Sequence, residues 1–501
     1  MNNGKICVSV AAETADDMIE SIRRAEPCAD VIEVRFDVLR PSHLEDLRSQ
    51  ISNLKFEKPL IATYRSPEQG GKNSLTLEER RAFWQSPISG FWAADVEEDI
   101  IDIARGWPFR IVSFHDLNGV PDDLDEIFER LSQGDTDAVK IAVRADDVID
   151  TIPIWKLLAT AKAAGKEIIP IAMGEAGKWT RILGPAHGAY LTYAALDDGK
   201  ETAEGQLSAK DLFDVYRVKD LDQNTKVYGV IGDPVSTSLS PYTHNAAFAA
   251  AGINAVFLPL LAKDLDAFMT RMVIPATRDV ELNFAGFAVT MPHKQAMMKH
   301  LDGIDETAEK IGAVNTIKID NDGKLHGFNT DAHGFITPLK QKFSDLNGAR
   351  VAVLGSGGAA RACAYALGQE KAEAHIFSRD VPKADAFASQ HRAFTSTILN
   401  LRSEISNFDV LVNATPLGMK GPLENDSPLT ADELKGVKLV FDLVTNSTET
   451  PLLREAKKAG IPTMGGIEML IEQGARQFET WAGRDAPIVV MREAALARMA
   501  K

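Results

Sequence analysis

Eight short apolar runs, regularly interrupted by helical segments, constrain the first two hundred residues more than any other feature. They are Lys5–Val10, Asp30–Phe36, Pro59–Tyr64, Phe91–Val96, Arg110–Phe114, Ala138–Val143, Glu167–Ala172 and Gly188–Tyr193. Between them lie helical patterns such as Asp16–Glu26, Leu75–Gln85, Asp122–Leu131 and Val148–Ala164. Strands joined through helices pair in parallel by right-handed crossovers. Eight such units in about 220 residues fit a (β/α)8 barrel near its lower size limit. An open doubly wound sheet is the alternative that the strand count leaves standing.

Side-chain alternation along the strands carries the reading further. In Val139-Lys140-Ile141-Ala142-Val143 the bulky apolar side chains share the face that meets the helices, so Lys140 and Ala142 point inward. The same parity turns Glu33 and Arg35, Thr63 and Arg65, and Ser113 and His115 to the inside, while Glu97 follows the strand end Asp95-Val96. Interior Lys, His, Arg and Glu are costly unless they serve one another or a ligand. They also sit near the ends of several different strands, where barrel active sites are built. Imine formation is the chemistry this set suggests, because an amine desolvated among cations loses its proton readily and attacks a ketone. A neighbouring His can move the protons. Aldolase, dehydratase and decarboxylase chemistry all remain open on these residues.

Composition excludes several classes. The net charge of −16 over 501 residues argues against a nucleic-acid partner. Cys7, Cys28 and Cys363 are the three cysteines, without CxxC or metal-ligand spacing, which suits a reducing, cytoplasmic setting and no metal. No apolar run approaches the ~20 residues of a membrane helix, and a strand-like run begins almost at the first residue, without a visible signal or transit peptide.

A second feature is ARVAVLGSGGAARACAYALGQEKAEAHIFSR, Ala349–Arg379. A β-branched run ends in Gly355-Ser-Gly-Gly and opens into an Ala-rich helix, the setting of a dinucleotide fingerprint. Gly355 permits the tight turn, and Gly357 lets the backbone approach a pyrophosphate. Gly358 and Ala359 begin the helix whose N-terminus favours phosphate. Past the second strand, where a unit binding NAD carries an acidic residue, this chain has Ser378-Arg379, and a cation there favours the 2′-phosphate of NADP.

Four motifs in the first half resemble type I 3-dehydroquinate dehydratase: EVRFD (Glu33–Asp37), ATYR (Ala62–Arg65), SFHD (Ser113–Asp116) and VKIAV (Val139–Val143). The resemblance implies Lys140 as Schiff-base lysine and His115 as the proton-transfer residue supported by Glu33. It implies Arg35, Arg65 and Arg181 as substrate-binding arginines and Glu97 as the strand-four acid. It also implies a lid after the eighth strand, here Thr202-Ala-Glu-Gly-Gln206, in which Glu204 replaces the family's proline.

After the polar linker Lys219–Thr225, a second set of motifs is similar to shikimate dehydrogenase, from about Lys226 to the C-terminus. These are STSLSPYTHN (Ser236–Asn245), AVTMPHK (Ala288–Lys294), GAVNT (Gly312–Thr316), FNTD (Phe328–Asp331), NATPLGM (Asn413–Met419) and MLIEQGARQF (Met469–Phe478). That resemblance implies Lys294 and Asp331 as the catalytic pair and Ser238 and Ser240 at the substrate carboxylate. It implies Thr290, Asn315 and Gln473 at the ring hydroxyls. The cofactor residues it implies are Gly355, Gly357, Gly358, Ala359, Ser378, Arg379, Lys383, Thr415 and Gly466. Asp380, next to Arg379, and Thr445, where relatives often carry Tyr, depart from the pattern.

The expected architecture is therefore α/β: a (β/α)8 barrel over residues 1–219, a substrate-binding domain over 226–335 plus 465–501, and a Rossmann NADP-binding domain over 336–464. The expected activities are two successive steps on small molecules, 3-dehydroquinate to 3-dehydroshikimate and then, with NADPH, to shikimate. An NAD-preferring quinate/shikimate dehydrogenase and a non-catalytic regulator derived from such enzymes are the rivals.

Overall fold

The computed structural model describes residues 4–85, 87–134, 136–343, 345–445 and 449–500. Two compact units emerge: the first runs from the N-terminus through Thr225 and includes Pro259–Asn283, and the second holds Lys226–Leu258 and Phe284 onward.

The eight apolar runs of the first unit become β1 (Ile6–Val10), β2 (Val31–Arg35), β3 (Leu60–Thr63), β4 (Ala93–Glu97), β5 (Arg110–Asp116), β6 (Ala138–Arg144), β7 (Glu167–Met173) and β8 (Thr192–Ala195). Their order is β7-β6-β5-β4-β3-β2-β1-β8, parallel throughout, a nearly closed barrel. Among the described residues no ladder joins β7 to β8. Local signals fix the surrounding helices. Ala15–Ala25 is capped by the Thr14 hydroxyl, which accepts from the Asp17 N–H, and carries acids in its first turn and arginines in its last. Leu77–Trp84 starts at a reciprocal Thr76/Glu79 capping box. After β8, Asp211–Val215 forms one wide helical turn.

Strand register stacks the barrel interior in layers. Cys7, Val31, Ile61, Ala93, Ile111, Ala138, Ile169 and Tyr193 form an apolar plug. Two residues further along the strands the interior turns polar. Ser9 lies opposite Glu33, Thr63 opposite Asp95, and Ser113 opposite Lys140. The plug thus forms a dry floor beneath a charged layer.

The second unit has two sheets. The first is mixed, in the order β10-β9-β11-β13-β14-β12, from β9 (Lys226–Gly232), β10 (Ala255–Leu261), β11 (Phe284–Val289), β12 (Gly303–Ile304), β13 (Thr316–Ile319) and β14 (Leu325–Phe328). The second is parallel, β17-β16-β15-β18-β19-β20, from β15 (Arg350–Leu354), β16 (Glu373–Ser378), β17 (Phe394–Thr397), β18 (Val410–Asn413), β19 (Leu439–Asp442) and β20 (Thr463–Gly465). That order is the dinucleotide-binding arrangement, with its switch point between β15 and β18. Gly355 sits there at φ +111°, a conformation other residues resist. Apolar clusters cover both faces of this sheet. The helix Gly466–Ala482 then returns to pack along the helix Asp331–Lys342.

Candidate active sites

A cavity of about 370 Å3 opens above the polar layer of the barrel. Glu33, Arg35, Arg65, His115, Lys140, Arg181, Thr202 and Gln206 all line it, as does Glu204. Lys140, at its base, is buried, with Nζ 2.8 Å from Asp95, 3.6 Å from Glu33 and 4.0 Å from the centroid of the Tyr193 ring. The lysine expected beside inward His115, Glu33, Arg35 and Arg65 thus has a second carboxylate, Asp95, against it as well as Glu33. Arg65 donates to Asp95 at 2.7 Å and to the Ser113 hydroxyl at 2.6 Å. Burial by itself would raise the Asp95 carboxyl, but Arg65, Lys140 and His115 prevail and hold it well below the usual carboxylate range.

His115 is pushed well below the ordinary histidine value, first by burial and then by Arg65 and Lys140. Its ring is neutral near neutral pH and can accept a proton. The expected support from Glu33 is corrected. Glu33 accepts from Ser9 and Thr63, whereas the His115 Nδ1 lies 3.1 Å from Gln69 Oε1 and its backbone N–H donates to the same oxygen. Parity brought Glu33 to the right layer, but the loop following β3 supplies the partner of the ring. Glu97 is also corrected. One of its oxygens accepts the Ser66 N–H at 2.9 Å and the other pairs with Arg80 at 2.5 Å. It braces the segment carrying Arg65 and does not line the cavity. Asp95, two residues earlier on the same face of β4, is the acid the sequence reading passed over.

Two arginines differ in what they still offer. Arg35 is clamped by Asp37 through contacts of 2.8 and 2.9 Å. Arg181 is fully desolvated, brought down to about 10 by burial, with Nε lacking a partner among the described residues. Its contact is a 3.4 Å bond to the Glu204 carbonyl. A buried guanidinium with spare donors suits a carboxylate ligand. The lid is tied down beside it. Thr202 donates its hydroxyl to Ser9 at 2.9 Å, and its N–H reaches Gln206 Oε1 at 2.7 Å. The backbone carbonyl of Glu204 also accepts from Gly174, so the residue replacing proline holds its turn through main-chain bonds.

The second unit has a cavity of about 340 Å3. Ser238, Ser240, Thr290, Lys294, Asn315, Asp331 and Gln473 line one side, and Gly357, Gly358, Ala359 and Thr415 line the other, with Thr445 also present. Lys294 forms an ion pair with Asp331 Oδ2. Asn315 Nδ2 donates to Asp331 Oδ1 at 2.8 Å and lies 3.3 Å from Gln473 Oε1. Ser240 opens the helix Ser240–Ala250, and its N–H donates to the Ser238 hydroxyl at 3.3 Å. A Cβ on Gly358 would stand 3.0 Å from the Lys294 Cδ, so the glycine lets the lysine lie against the dinucleotide turn.

Gly355, Ser378, Arg379, Lys383 and Gly466 lie outside that lining. The Ser378 hydroxyl donates to that of Ser356 at 3.1 Å, joining the end of β16 to the glycine turn. Arg379 and Lys383 are exposed beside it. Asp380 is the N-cap of the helix Val381–Ala388, its carboxylate accepting the Lys383 N–H at 3.0 Å. The acid that departs from the family pattern is thus engaged by a helix end, with the cations Arg379 and Lys383 exposed on either side of it in sequence. A Cβ on Gly466 would meet the Val444 carbonyl at 2.4 Å, so that glycine serves chain packing at the start of its helix. Gln477, one turn beyond Gln473 and also on the cavity wall, was missed by the motif reading.

Known families and proteins match the chain in successive segments. Residues 6–223 match type I 3-dehydroquinase, 230–317 the shikimate dehydrogenase substrate binding domain, 338–443 shikimate/quinate 5-dehydrogenase, and 466–496 the shikimate 5′-dehydrogenase C-terminal domain. The chloroplastic bifunctional 3-dehydroquinate dehydratase/shikimate dehydrogenase of Arabidopsis thaliana is 36% identical over 97% of this chain and 83% of its own length. The NADP(+) shikimate dehydrogenase of Methanopyrus kandleri is 42% identical over 55% of this chain and 97% of its own. A crystal structure of a shikimate dehydrogenase in complex with NADP+ superposes with a TM-score of 0.51 at 37% identity, over 56% of this chain and 98% of that one.

Proposed function

Because the chain belongs to the family of bifunctional 3-dehydroquinate dehydratase/shikimate dehydrogenases, we propose that its two cavities divide two successive reactions between them. The enzyme dehydrates 3-dehydroquinate to 3-dehydroshikimate and reduces that product to shikimate with NADPH. The observation that carries the assignment of roles is that in each cavity a lysine is paired with a buried carboxylate, Lys140 with Asp95 and Lys294 with Asp331. We assign 1–219 to the dehydratase, 226–335 with 465–501 to substrate binding, and 336–464 to the cofactor, a division that the family matches support.

In the barrel, the Lys140 amine adds to the ketone carbon of 3-dehydroquinate after passing a proton to Glu33, while Asp95 stays ionised. The former ketone oxygen departs as water, leaving an imine. The imine acidifies the adjacent carbon, and His115 takes its proton and returns it to the neighbouring hydroxyl, which leaves as a second water. Hydrolysis of the imine consumes one water and frees Lys140, so the net change is loss of one water. Arg181 holds the substrate carboxylate and the lid residues Thr202 and Gln206 close over it. Arg35 and Arg65 position the ring. His115 must be neutral to act. Its ordinary value of 6.5 is depressed, so dehydratase activity should persist as pH falls past 6.5 and fail only further down. A kcat profile with an acid limb above 6.5 would assign the proton to another group.

In the second unit, the open space at Gly357 and the cations Arg379 and Lys383 fit a phosphorylated dinucleotide. Gly355, Gly358, Ala359, Ser378, Thr415 and Gly466 would shape its cradle. When bound, NADPH supplies the hydride. Ser238 and Ser240 hold the substrate carboxylate, and Thr290, Asn315 and Gln473 the hydroxyls. Lys294 gives its proton to the ketone oxygen and Asp331 keeps the lysine oriented. Arg379→Ala should raise KM for NADPH about 10- to 100-fold, the worth of a charge-assisted contact, and leave NADH nearly unchanged. Equal effects on both would remove Arg379 from the phosphate site.

Among the described residues no helix is long and apolar enough to cross a membrane, and the three cysteines are free. A cytoplasmic location is part of this proposal, and fractionation of the source cells tests it.

A further inference from the structure

Behind Asn315 lies a line of buried side chains that the reaction, as described, does not use. His244 is fully buried on the helix Ser240–Ala250 and stacks on Phe257, centroid to centroid 4.6 Å. Its Nε2 is 3.2 Å from Gln477 Oε1. Gln477 Nε2 is 3.1 Å from both the Asn315 carbonyl and the Thr316 hydroxyl. Thr316 Oγ1 is 2.8 Å from Asn315 Oδ1, and Asn315 Nδ2 is 2.8 Å from Asp331 Oδ1.

Chemistry fixes the direction of every link. A main-chain carbonyl only accepts, so the Gln477 atom facing the Asn315 carbonyl is its NH2 and the atom facing His244 is its oxygen. His244 therefore carries its proton on Nε2, and burial, which brings the ring down to about 4, keeps it neutral. Thr316 accepts from Gln477 and turns its own proton to Asn315 Oδ1. That oxygen also accepts the Thr330 N–H at 2.8 Å, so the Asn315 NH2 must face Asp331. Flipping the amide would set an oxygen against a carboxylate and leave buried donors unmatched, each costing roughly 1–3 kcal/mol.

We propose that His244, Gln477 and Thr316 are positioning residues of the reductase, a one-way chain of donors that locks the Asn315 amide and, through it, Asp331 beside Lys294. This rests on the reading of Lys294 and Asp331 as the reacting pair. Three buried polar side chains lead in line to one amide, where apolar residues of the same size would fill the space at lower cost if packing were their only service.

The test uses the full-length enzyme and shikimate oxidation with NADP+. Thr316→Val removes the hydroxyl while keeping the shape. It should lower kcat about 10-fold and raise KM for shikimate, with KM for NADP+ and the dehydratase activity of the same chain unchanged. Thr316→Ser should restore both parameters. His244→Phe keeps the ring stack and Gln477→Glu keeps the acceptor, so this pair serves if Thr316→Val does not fold. Each should show the same split between substrate and cofactor, and the two together should cost no more than the worse one. Kinetics of Thr316→Val within twofold of the parent, or a loss that Thr316→Ser does not repair, would overturn the proposal. Lys294→Met, assayed alongside, reports separately on the reacting pair: its full activity would remove the reading of the site, whatever Thr316 does.

Discussion

Lys140→Met should lose dehydration of 3-dehydroquinate by a factor on the order of 10⁴–10⁶, the range for removing a nucleophile together with its proton transfers. Reduction of 3-dehydroshikimate should be untouched. The reason is local. Lys140 lines the first cavity from a buried, inward strand position, with Asp95 at 2.8 Å to hold it and Glu33 at 3.6 Å to take its proton. Met fills a similar volume over the Tyr193 ring and leaves Asp95 paired with Arg65, so the fold should survive. Borohydride added with substrate should inactivate the parent dehydratase and leave a substrate-sized mass on the peptide bearing Lys140. A label on another lysine, or dehydration that persists in the Met variant, would remove the covalent mechanism.

The second large effect concerns Lys294 and Asp331. Lys294→Met should reduce turnover of 3-dehydroshikimate by about 10²–10⁴, the worth of a positioned proton donor. Asp331→Asn should fall in the same range, and the double variant should cost little more than either alone, because the two act as one unit. Binding of NADPH, followed by fluorescence, should be near that of the parent in all three. An effect confined to KM would make both residues substrate contacts with no part in proton transfer.

Much of this arrangement was legible in the sequence. Alternation along the strands placed Glu33, Arg35, Arg65, His115 and Lys140 inside the barrel because one-residue parity decides which face a side chain takes. The glycine turn after β15 and the strand beyond it located the cofactor fold for an equally local reason. What parity could not reveal was how the inward charges balance. Asp95 shares a face with Glu97, but only the register of β4 against β3 and β5 sets it beside Lys140 and turns Glu97 onto Ser66 and Arg80. Gln69 reaches His115 from a loop with no periodicity to read. Gln477 lies one helical turn past Gln473, and its partners His244 and Thr316 come from elements more than 150 residues earlier in the chain. Such contacts belong to tertiary packing, and no local pattern encodes them.

The most direct measurement follows NADPH oxidation from 3-dehydroquinate with the two lysine variants, apart and mixed. Lys140→Met alone should consume no NADPH from 3-dehydroquinate yet act normally on 3-dehydroshikimate. Lys294→Met alone should accumulate 3-dehydroshikimate. Mixed in solution, the two should restore conversion to shikimate, each supplying the step the other lacks. A mixture that stays inactive, or either variant carrying both steps by itself, would contradict the assignment of one reaction to each cavity.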